Sequence, residues 1–162
     1  MANKTTIVAE PGQLSIIITR EFDAPRDLVF RAYTEADLYK QWVGPRGMSM
    51  EIEKFEAKNG GSWRYISKDP QGNAYAFNGV THYMKTPELL VGTFEFEGLP
   101  ERGHVALETA RFESLPGNRT RVVGTSVFST QTDRDGMIQS GMEHGVVEGH
   151  ERLDEVLAGL TK

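Results

Sequence analysis

The stretch that decides the fold runs from Asp135 to Leu160 and has the sequence DGMIQSGMEHGVVEGHERLDEVLAGL. On a period of 3.6 residues, one face of this stretch is apolar or glycine, and the opposite face is polar. The apolar face comprises Ile138, Gly141, Met142, Gly145, Gly149, Leu153, Val156 and Leu160. The spacing predicts one long helix over residues 135–160, about 40 Å in length at the usual helical rise.

Three glycines recur every four residues on the apolar face of this helix, at Gly141, Gly145 and Gly149. Each costs about 0.5–1 kcal/mol relative to alanine in a helix interior, so a structural reason must offset the loss. Either another backbone segment approaches the helix closely at these positions, or a ligand occupies the space beside them. Of the two, we expect a ligand cavity.

The 162 residues contain no cysteine and carry a formal net charge of −5. The lack of cysteine excludes disulfides and thiolate metal sites and is typical of a reducing cytoplasm. Lys and Arg are not clustered as in proteins that bind nucleic acid, and no apolar run approaches the ~20 residues of a membrane span. The start has no apolar signal core. We expect a cytoplasmic protein with one domain over residues 14–162, after a flexible tail over residues 1–13.

Turn residues divide the chain before the long helix into short segments. An isoleucine-rich strand is predicted over residues 14–22, then one short helix starting at Asp23-Ala24-Pro25 and a second over residues 35–42. Six more strands are predicted near residues 50–57, 62–68, 74–85, 88–97, 104–114 and 119–130. The order predicts an α+β fold, with a seven-stranded antiparallel sheet curled around the C-terminal helix and two short helices between strands 1 and 2.

A sheet that grips a helix through glycines leaves volume between the two layers, and aromatic side chains are the candidates to line it. They are Trp42, Trp63, Tyr65, Phe77, Phe94, Phe96, Phe112 and Phe128. From the helix, we expect Ile138, Gly141, Met142, Gly145 and Gly149 to line the same pocket. The alternative is that the aromatics form a close-packed core, since a bulge would exchange the faces of a strand.

Several motifs, in this order and spacing, resemble the bacterial branch of the activator of heat-shock-protein ATPase homologue family, in the START-like, birch-pollen-allergen-like (SRPBCC) superfamily. They are Arg20-Glu21-Phe22-Asp23-Ala24-Pro25, Val29-Phe30, Trp42-Val43-Gly44-Pro45, Gly60-Gly61-Ser62-Trp63-Arg64-Tyr65, Gly79-Val80, Pro87-Glu88-Leu89, Phe112-Glu113, Gly117-Asn118-Arg119-Thr120 and Gly141-Met142-Glu143-x-Gly145. The resemblance covers about residues 15–160 and implies a helix-grip fold with a deep hydrophobic pocket.

The sequence departs from the family pattern at two places. Many members have Trp-Trp where this chain has Trp42-Val43, and a Gly-Trp in the terminal helix where it has Gly141-Met142 or Gly145-Val146. Both changes would reshape the pocket wall, so the resemblance implies a pocket but no particular ligand.

Polar candidates for chemistry are few. His144 and His150 are six residues apart and so point in different directions on a helix, and no H-E-x-x-H motif or nucleotide-binding fingerprint occurs. We therefore expect neither a metal nor an organic cofactor. Glu108 would be a buried acid if its strand has the inward register, and Arg152 is either a surface residue with its stem on apolar atoms or a charged anchor at the pocket mouth.

Three hypotheses about function follow. The first is a protein that binds a small hydrophobic or amphipathic molecule in an internal pocket, as a monomer or weak homodimer. The second is an enzyme acting in the same pocket, such as a cyclase, a hydrolase or a self-sacrificing resistance protein. The third is a co-chaperone-like interaction module, which would need an exposed apolar patch and has no support in the residues. No catalytic constellation is visible, so binding is favoured over catalysis.

Overall fold

An eight-stranded antiparallel sheet is the frame of the computed structural model, which describes residues 3–161. The strands are β1 (Thr6–Val8), β2 (Ser15–Phe22), β3 (Ser49–Phe55), β4 (Ser62–Lys68), β5 (Ala74–Lys85), β6 (Leu89–Phe96), β7 (Val105–Leu115) and β8 (Arg119–Val127). Strands β3 to β8 pair in sequence order as a meander, and β2 adds beside β8, giving the order β1-β2-β8-β7-β6-β5-β4-β3. All pairs are antiparallel, as the alternation of short strands and turns predicts.

Four helices complete the structure: α1 (Arg26–Thr34), α2 (Ala36–Tyr39), α3 (Gln131–Gln139) and α4 (Met142–Leu160). The two short helices α1 and α2 lie between β2 and β3 and confirm the predicted plan. The helix-grip fold with an antiparallel sheet and a C-terminal helix is likewise confirmed. None of the helices in residues 3–161 has the combination of length and apolar character that crossing a bilayer requires.

The prediction of one continuous helix over residues 135–160 is wrong. Helix α3 begins at Gln131, capped by the Thr130 side chain, which accepts a hydrogen bond from the backbone N–H of Asp133. The two helices are separated at Gly141, which has a φ of +84° and is the N-cap of α4. Glycine adopts this left-handed conformation without steric penalty, so Gly141 changes the direction of the chain here.

The sheet has eight strands rather than the seven predicted, because the segment expected to be a flexible tail contains β1. Thr6, Ile7 and Val8 pair with Thr19, Ile18 and Ile17 of β2. The middle residue, Ile7, packs against a small buried cluster of Ile16, Ala106 and Phe128. Burial of one apolar side chain and the ladder to β2 explain why these residues are ordered.

The main core fills one end of the space between sheet and helices. It joins Phe22 of β2, Val29 and Phe30 of α1, and Leu153 and Leu157 of α4, all nearly inaccessible to solvent. At this end the helices lie directly on the sheet. Toward the N-terminal end of α4 the two layers separate.

Candidate ligand-binding cavity

A cavity of about 930 Å³ lies between the inner face of the sheet and the helices. Small residues on the central strands create its volume. On β7 the inward positions include Ala106 and Ala110, and on β8 they include Gly124, which is paired directly with Ala110. A Cβ atom built on Gly124 would have a single neighbour within 4 Å, the carbonyl oxygen of Ile18 at 3.7 Å, so open space lies above this position.

An aromatic wall on β4, β5 and β6 bounds the cavity. Tyr65 is paired with Phe77, and Phe77 with Phe96, so their rings lie side by side with centroids 5.2 Å apart in both pairs. Trp63 stacks on Tyr65 at 5.6 Å, and Phe94 lies 5.4 Å from Phe77. These five predicted aromatics line the cavity together, which is the arrangement that cross-strand pairs on one face produce.

Two other predicted aromatics line the cavity from elsewhere. Trp42, in the loop after α2, is 7% exposed, and its Nε1 donates a hydrogen bond to the backbone oxygen of Ala32 at 2.9 Å. Phe128, just after β8, closes the side of the cavity near Ile16. Tyr39 of α2 also lines the cavity, and no pattern in the sequence indicated this.

Phe112 was predicted to line the pocket, and this is wrong. Its side chain points to the inner face, but at the end of β7 that α1 covers. There its ring lies 5.0 Å from the rings of both Phe30 and Tyr33. Phe112 is therefore part of the main core, and the cavity begins one inward position away, at Ala110.

The glycine positions have different roles. Gly141, Gly145 and Gly149 all border the cavity. A Cβ on Gly149 would lie 3.1 Å from the carbonyl oxygen of Trp42, and one on Gly145 would lie 3.4 Å from Cδ of Pro45. Close approach of the loop over residues 42–45 therefore explains Gly149, the alternative that we did not favour.

The helix break also changes which residues of the predicted stripe face inward. Ile138 is 38% exposed and does not line the cavity, contrary to the prediction. Met142, which was predicted to line the pocket, borders the cavity, and so does Met137, which was not; both pack beside the cluster that contains Phe128. The predicted phase fails for Ile138 because Gly141 interrupts the period between α3 and α4.

Glu108 has the inward register and lines the cavity. It lies between Ser126 on β8 and Gly92 on β6, its direct partners in the sheet. Ser126 Oγ donates a hydrogen bond to Oε2 of the carboxyl group. Burial raises the pKa of Glu108, and the Ser126 hydrogen bond opposes that rise only in part.

Arg152 does not line this cavity. Its guanidinium Nη1 donates hydrogen bonds to the backbone oxygens of Gly44 and Pro45, at 3.2 and 3.3 Å. Burial lowers its pKa from the ordinary value. Arg152 thus holds the loop over residues 42–45 against α4 and is not an anchor at the cavity mouth.

The remaining charged groups divide between the cavity and the outer face of the sheet. Asp133 borders the cavity and accepts from Nδ1 of His104 at 2.9 Å, a contact that raises the pKa of His104. Glu95 lies on the outer face, where Arg102 and the backbone N–H of Gly103 lower its pKa to about 2. Within residues 3–161, no group of His, Asp or Glu side chains is arranged to hold a metal ion.

Comparison with protein families gives a match over most of the chain. A family model described as Activator of Hsp90 ATPase homolog 1-like protein matches residues 23–158, most of the chain. A comparison with curated proteins returned no match.

Solved structures from bacteria have the same fold. A protein from Arthrobacter aurescens superposes with a TM-score of 0.86 at 26% identity, covering 95% of this chain and 91% of that chain. A protein from Staphylococcus epidermidis gives 0.81 at 28% identity, with 95% and 94% covered. The AHSA1 protein from Silicibacter pomeroyi gives 0.73 at 19% identity, with 89% and 97% covered, and this likeness shows the fold alone.

Proposed function

We propose that this chain, which belongs to the family of Activator of Hsp90 ATPase homolog 1-like proteins, binds a small hydrophobic or amphipathic molecule in its internal cavity. The observation that carries the proposal is the cavity of about 930 Å³ with its wall of aromatic rings. Ligand pockets of proteins have volumes of roughly 300–1,000 Å³ and mostly apolar linings with a few polar groups.

The cavity has the features expected of a binding site rather than of imperfect packing. Protein interiors are close-packed, and voids larger than a water molecule are few and destabilising. Here the volume comes from small residues in paired positions, Ala110 beside Gly124, while a close-packed core exists at the other end of the same layers. An apolar ligand that filled this space would remove both its own surface and the aromatic wall from water.

The proposal is tested by titrating the protein with Nile red, an uncharged fluorescent probe of apolar sites. Gly124→Val would place a β-branched side chain in the open space of the cavity, where a strand also favours it. We expect the wild-type chain to bind the probe and Gly124→Val to bind it at least about tenfold more weakly, with no loss of melting temperature.

Thr125→Val is the matched control, because Thr125 follows Gly124 on the same strand and points to the other face of the sheet. This variant should bind Nile red as the wild type does. If the wild type fails to bind the probe, or Gly124→Val binds it unchanged, the cavity is not a binding site.

An enzyme acting in the same cavity is the second candidate, and Glu108 is the observation that favours it. A carboxyl group whose pKa is raised by burial keeps its proton to a higher pH than an ordinary carboxyl group and can donate it to a bound molecule. Native mass spectrometry of the purified protein would show a ligand that co-purifies. Incubation of that ligand with wild type and with Glu108→Gln, followed by analysis for products, separates catalysis from binding.

A further inference from the structure

Glu108 is a carboxylate without a counter-ion in the part of the chain that the structure describes. Ser126 makes its only hydrogen bond there, to Oε2, and no Lys, Arg or His lies within ion-pair distance of either oxygen. Its neighbours across the sheet, Gly92 and Ser126, are small, so Oε1 is open to the cavity. A buried carboxylate is normally paired, because isolation from water and from a cation is unfavourable.

The other charged groups of the lining give the cavity an acidic character. Among residues 3–161, the lining contains three carboxyl groups, those of Glu56, Glu108 and Asp133, and neither Lys nor Arg. Glu56 is engaged by the backbone N–H of Ser62, and Asp133 by His104.

Two further histidines border the cavity. His144 lies 3.4 Å from Glu148, and burial lowers the pKa of His150 to about 4, so that its ring is neutral. Lys54 lies 3.6 Å from Glu56 and His104 lies 2.9 Å from Asp133, so among residues 3–161 Glu108 is the only acid of the lining with no cation within ion-pair distance. A ligand that placed a carboxylate, sulfate or phosphate beside Glu108 would meet this acid with no cation within ion-pair distance of it, since His104 is paired with Asp133.

The aromatic wall favours a ligand with a positive charge. Phe94 lies two residues from Gly92 along β6, on the same face, and Gly92 is paired directly with Glu108. The acid is thus next to the wall of rings, whose faces attract cations as well as apolar groups. A molecule with an ammonium group at Glu108 and an apolar body along the rings would satisfy both surfaces.

We propose that the ligand of the cavity is a hydrophobic amine, bound as a cation whose ammonium group pairs with Oε1 of Glu108. This inference rests on the proposed function, since it names the class of molecule that the cavity takes. On binding, the ammonium group replaces the missing counter-ion, and Glu108 gives up to solvent any proton that it holds in the empty cavity. Ser126 keeps the carboxylate oriented through its hydrogen bond to Oε2.

Three compounds with one skeleton test the proposal: 4-phenylbutylamine, 4-phenylbutan-1-ol and 4-phenylbutyric acid. Their affinities are measured at pH 8 by displacement of Nile red and by calorimetry. We expect the amine to bind at least about tenfold more tightly than the alcohol, and the acid to bind most weakly, because a charge pair in a dry site favours one sign.

Glu108→Gln keeps the shape of the side chain and removes its charge, so it should abolish the preference for the amine while binding of the alcohol persists. Glu113→Gln is the matched control, because Glu113 is exposed on the other face of the same strand and should leave all three affinities unchanged. Circular dichroism of both variants shows whether each is folded.

The pH dependence gives a second readout. Acidification from pH 8 to pH 5 should weaken binding of the amine to wild type, because a proton on Glu108 competes with the ammonium group, and should change binding of the alcohol much less. The other titratable groups that line the cavity are Tyr33, Tyr39, Tyr65, Tyr75, Glu56, Asp133, His104, His144 and His150. Only an effect that disappears in Glu108→Gln belongs to Glu108.

The two proposals fail in different ways. If neither Nile red nor any of the three compounds binds, the proposed function itself is wrong. If Nile red and the alcohol bind, but the acid binds as well as the amine or Glu108→Gln retains the preference for the amine, the cavity is a binding site and the inference about a cationic ligand is overturned.

Discussion

Gly149 of α4 lies against the backbone of Trp42, so closely that a Cβ atom on Gly149 would be 3.1 Å from the Trp42 carbonyl oxygen. Trp42 is itself fixed, because its Nε1 is bound to the backbone oxygen of Ala32. Arg152, one turn further along α4, donates to the carbonyl oxygens of Gly44 and Pro45. The contacts at Gly149 and Arg152 therefore hold the loop over residues 42–45 on α4, and this loop forms part of the cavity wall.

Gly149→Ala should stabilise the protein less than a Gly→Ala change at a helical position where the new methyl group meets no neighbour. Alanine gains helix propensity over glycine, by about 0.5–1 kcal/mol. At Gly149 the added methyl group collides with a backbone oxygen that cannot move easily, and overpacking of this kind costs about 1–3 kcal/mol. We expect no stabilisation or a net loss in the free energy of unfolding, measured by urea denaturation.

Gly159→Ala is the control for this comparison, because a Cβ there meets no atom within 4 Å and the residue lies in the same helix. It should be neutral or stabilise the protein by up to about 1 kcal/mol. Equal stabilisation by both variants would mean that the loop over residues 42–45 does not pack against Gly149.

Asp154 neutralises the buried guanidinium of Arg20, and Asp154→Ala should destabilise the protein. Arg20 is 3% exposed and donates two hydrogen bonds to Asp154, at 2.9 and 2.7 Å, whereas the Asp154 side chain is 43% exposed. Removing one partner of a fully buried pair costs about 3–5 kcal/mol. Because water reaches Asp154, we expect a smaller loss in the free energy of unfolding, of about 1–3 kcal/mol.

The exposed pair of Arg31 and Glu35 on α1 provides the comparison, with both side chains 47% exposed. Glu35→Ala should change the free energy of unfolding by less than about 1 kcal/mol, since surface pairs contribute little. If Asp154→Ala and Glu35→Ala lower the free energy of unfolding by similar amounts, burial of Arg20 does not make its ion pair stronger than an exposed one.

The fold was predictable from the sequence because its main signals are local. Turn residues separate short alternating strands, so the antiparallel order, the two short helices and the family resemblance were all correct. The aromatic wall was predictable too, since Trp63 and Tyr65 are two residues apart and must share a face. Strand β1 was not, because the side chain of Ile7 is ordered by a distant cluster near Ile16 that no local pattern shows.

The details of the site depended on contacts that a single sequence does not encode. A glycine at position 141 is compatible with a continuous helix, and only its φ of +84° in the folded chain reveals the break that turns Ile138 outward. Phe112 and Glu108 share the inner face of β7, but α1 covers one and leaves the other in the cavity. Alternation along β7 predicts which face of the sheet each side chain occupies. Packing against distant elements decides whether that side chain joins the core or lines the cavity.

His150 should make the protein less stable in mild acid. Burial, and secondarily the charge of Arg20, lower its pKa to about 4, and its ring accepts or donates a hydrogen bond with Thr5 at 2.7 Å. Unfolded His150 takes up a proton near pH 6.5, whereas folded His150 does so only near pH 4. The contribution of the neutral ring is therefore complete above pH 6.5 and is lost as the pH falls to about 4, by up to about 3 kcal/mol.

Urea denaturation of wild type and His150→Gln at pH 7.5 and pH 5 checks this expectation. Glutamine retains a partner for Thr5 and does not titrate, so the variant should lose less stability between the two pH values. If both proteins lose the same stability between pH 7.5 and pH 5, groups other than His150 cause the acid sensitivity. His104 acts in the opposite direction, since Asp133 raises its pKa and its charged form stabilises the fold at low pH.

Glu108→Gln should stabilise the ligand-free protein at pH 8, although Glu108 is proposed to bind the ligand. The folded pKa of Glu108 is raised by burial, so the folded state holds its proton more strongly than the unfolded state does. Stability from this group is complete below its ordinary pKa of about 4.5 and is lost as the pH rises through the raised value, by about 1.4 kcal/mol for each unit of the shift. Glutamine retains a hydrogen-bonding oxygen for Ser126 and has no charge to bury.

Urea denaturation between pH 4 and pH 8 should therefore show that the stability of Glu108→Gln relative to wild type increases as the pH rises. Glu113→Gln should show no such trend. A variant that is less stable than wild type at pH 8 would mean that the carboxylate is well solvated or paired in the empty cavity, and would remove the reason to expect a cation there.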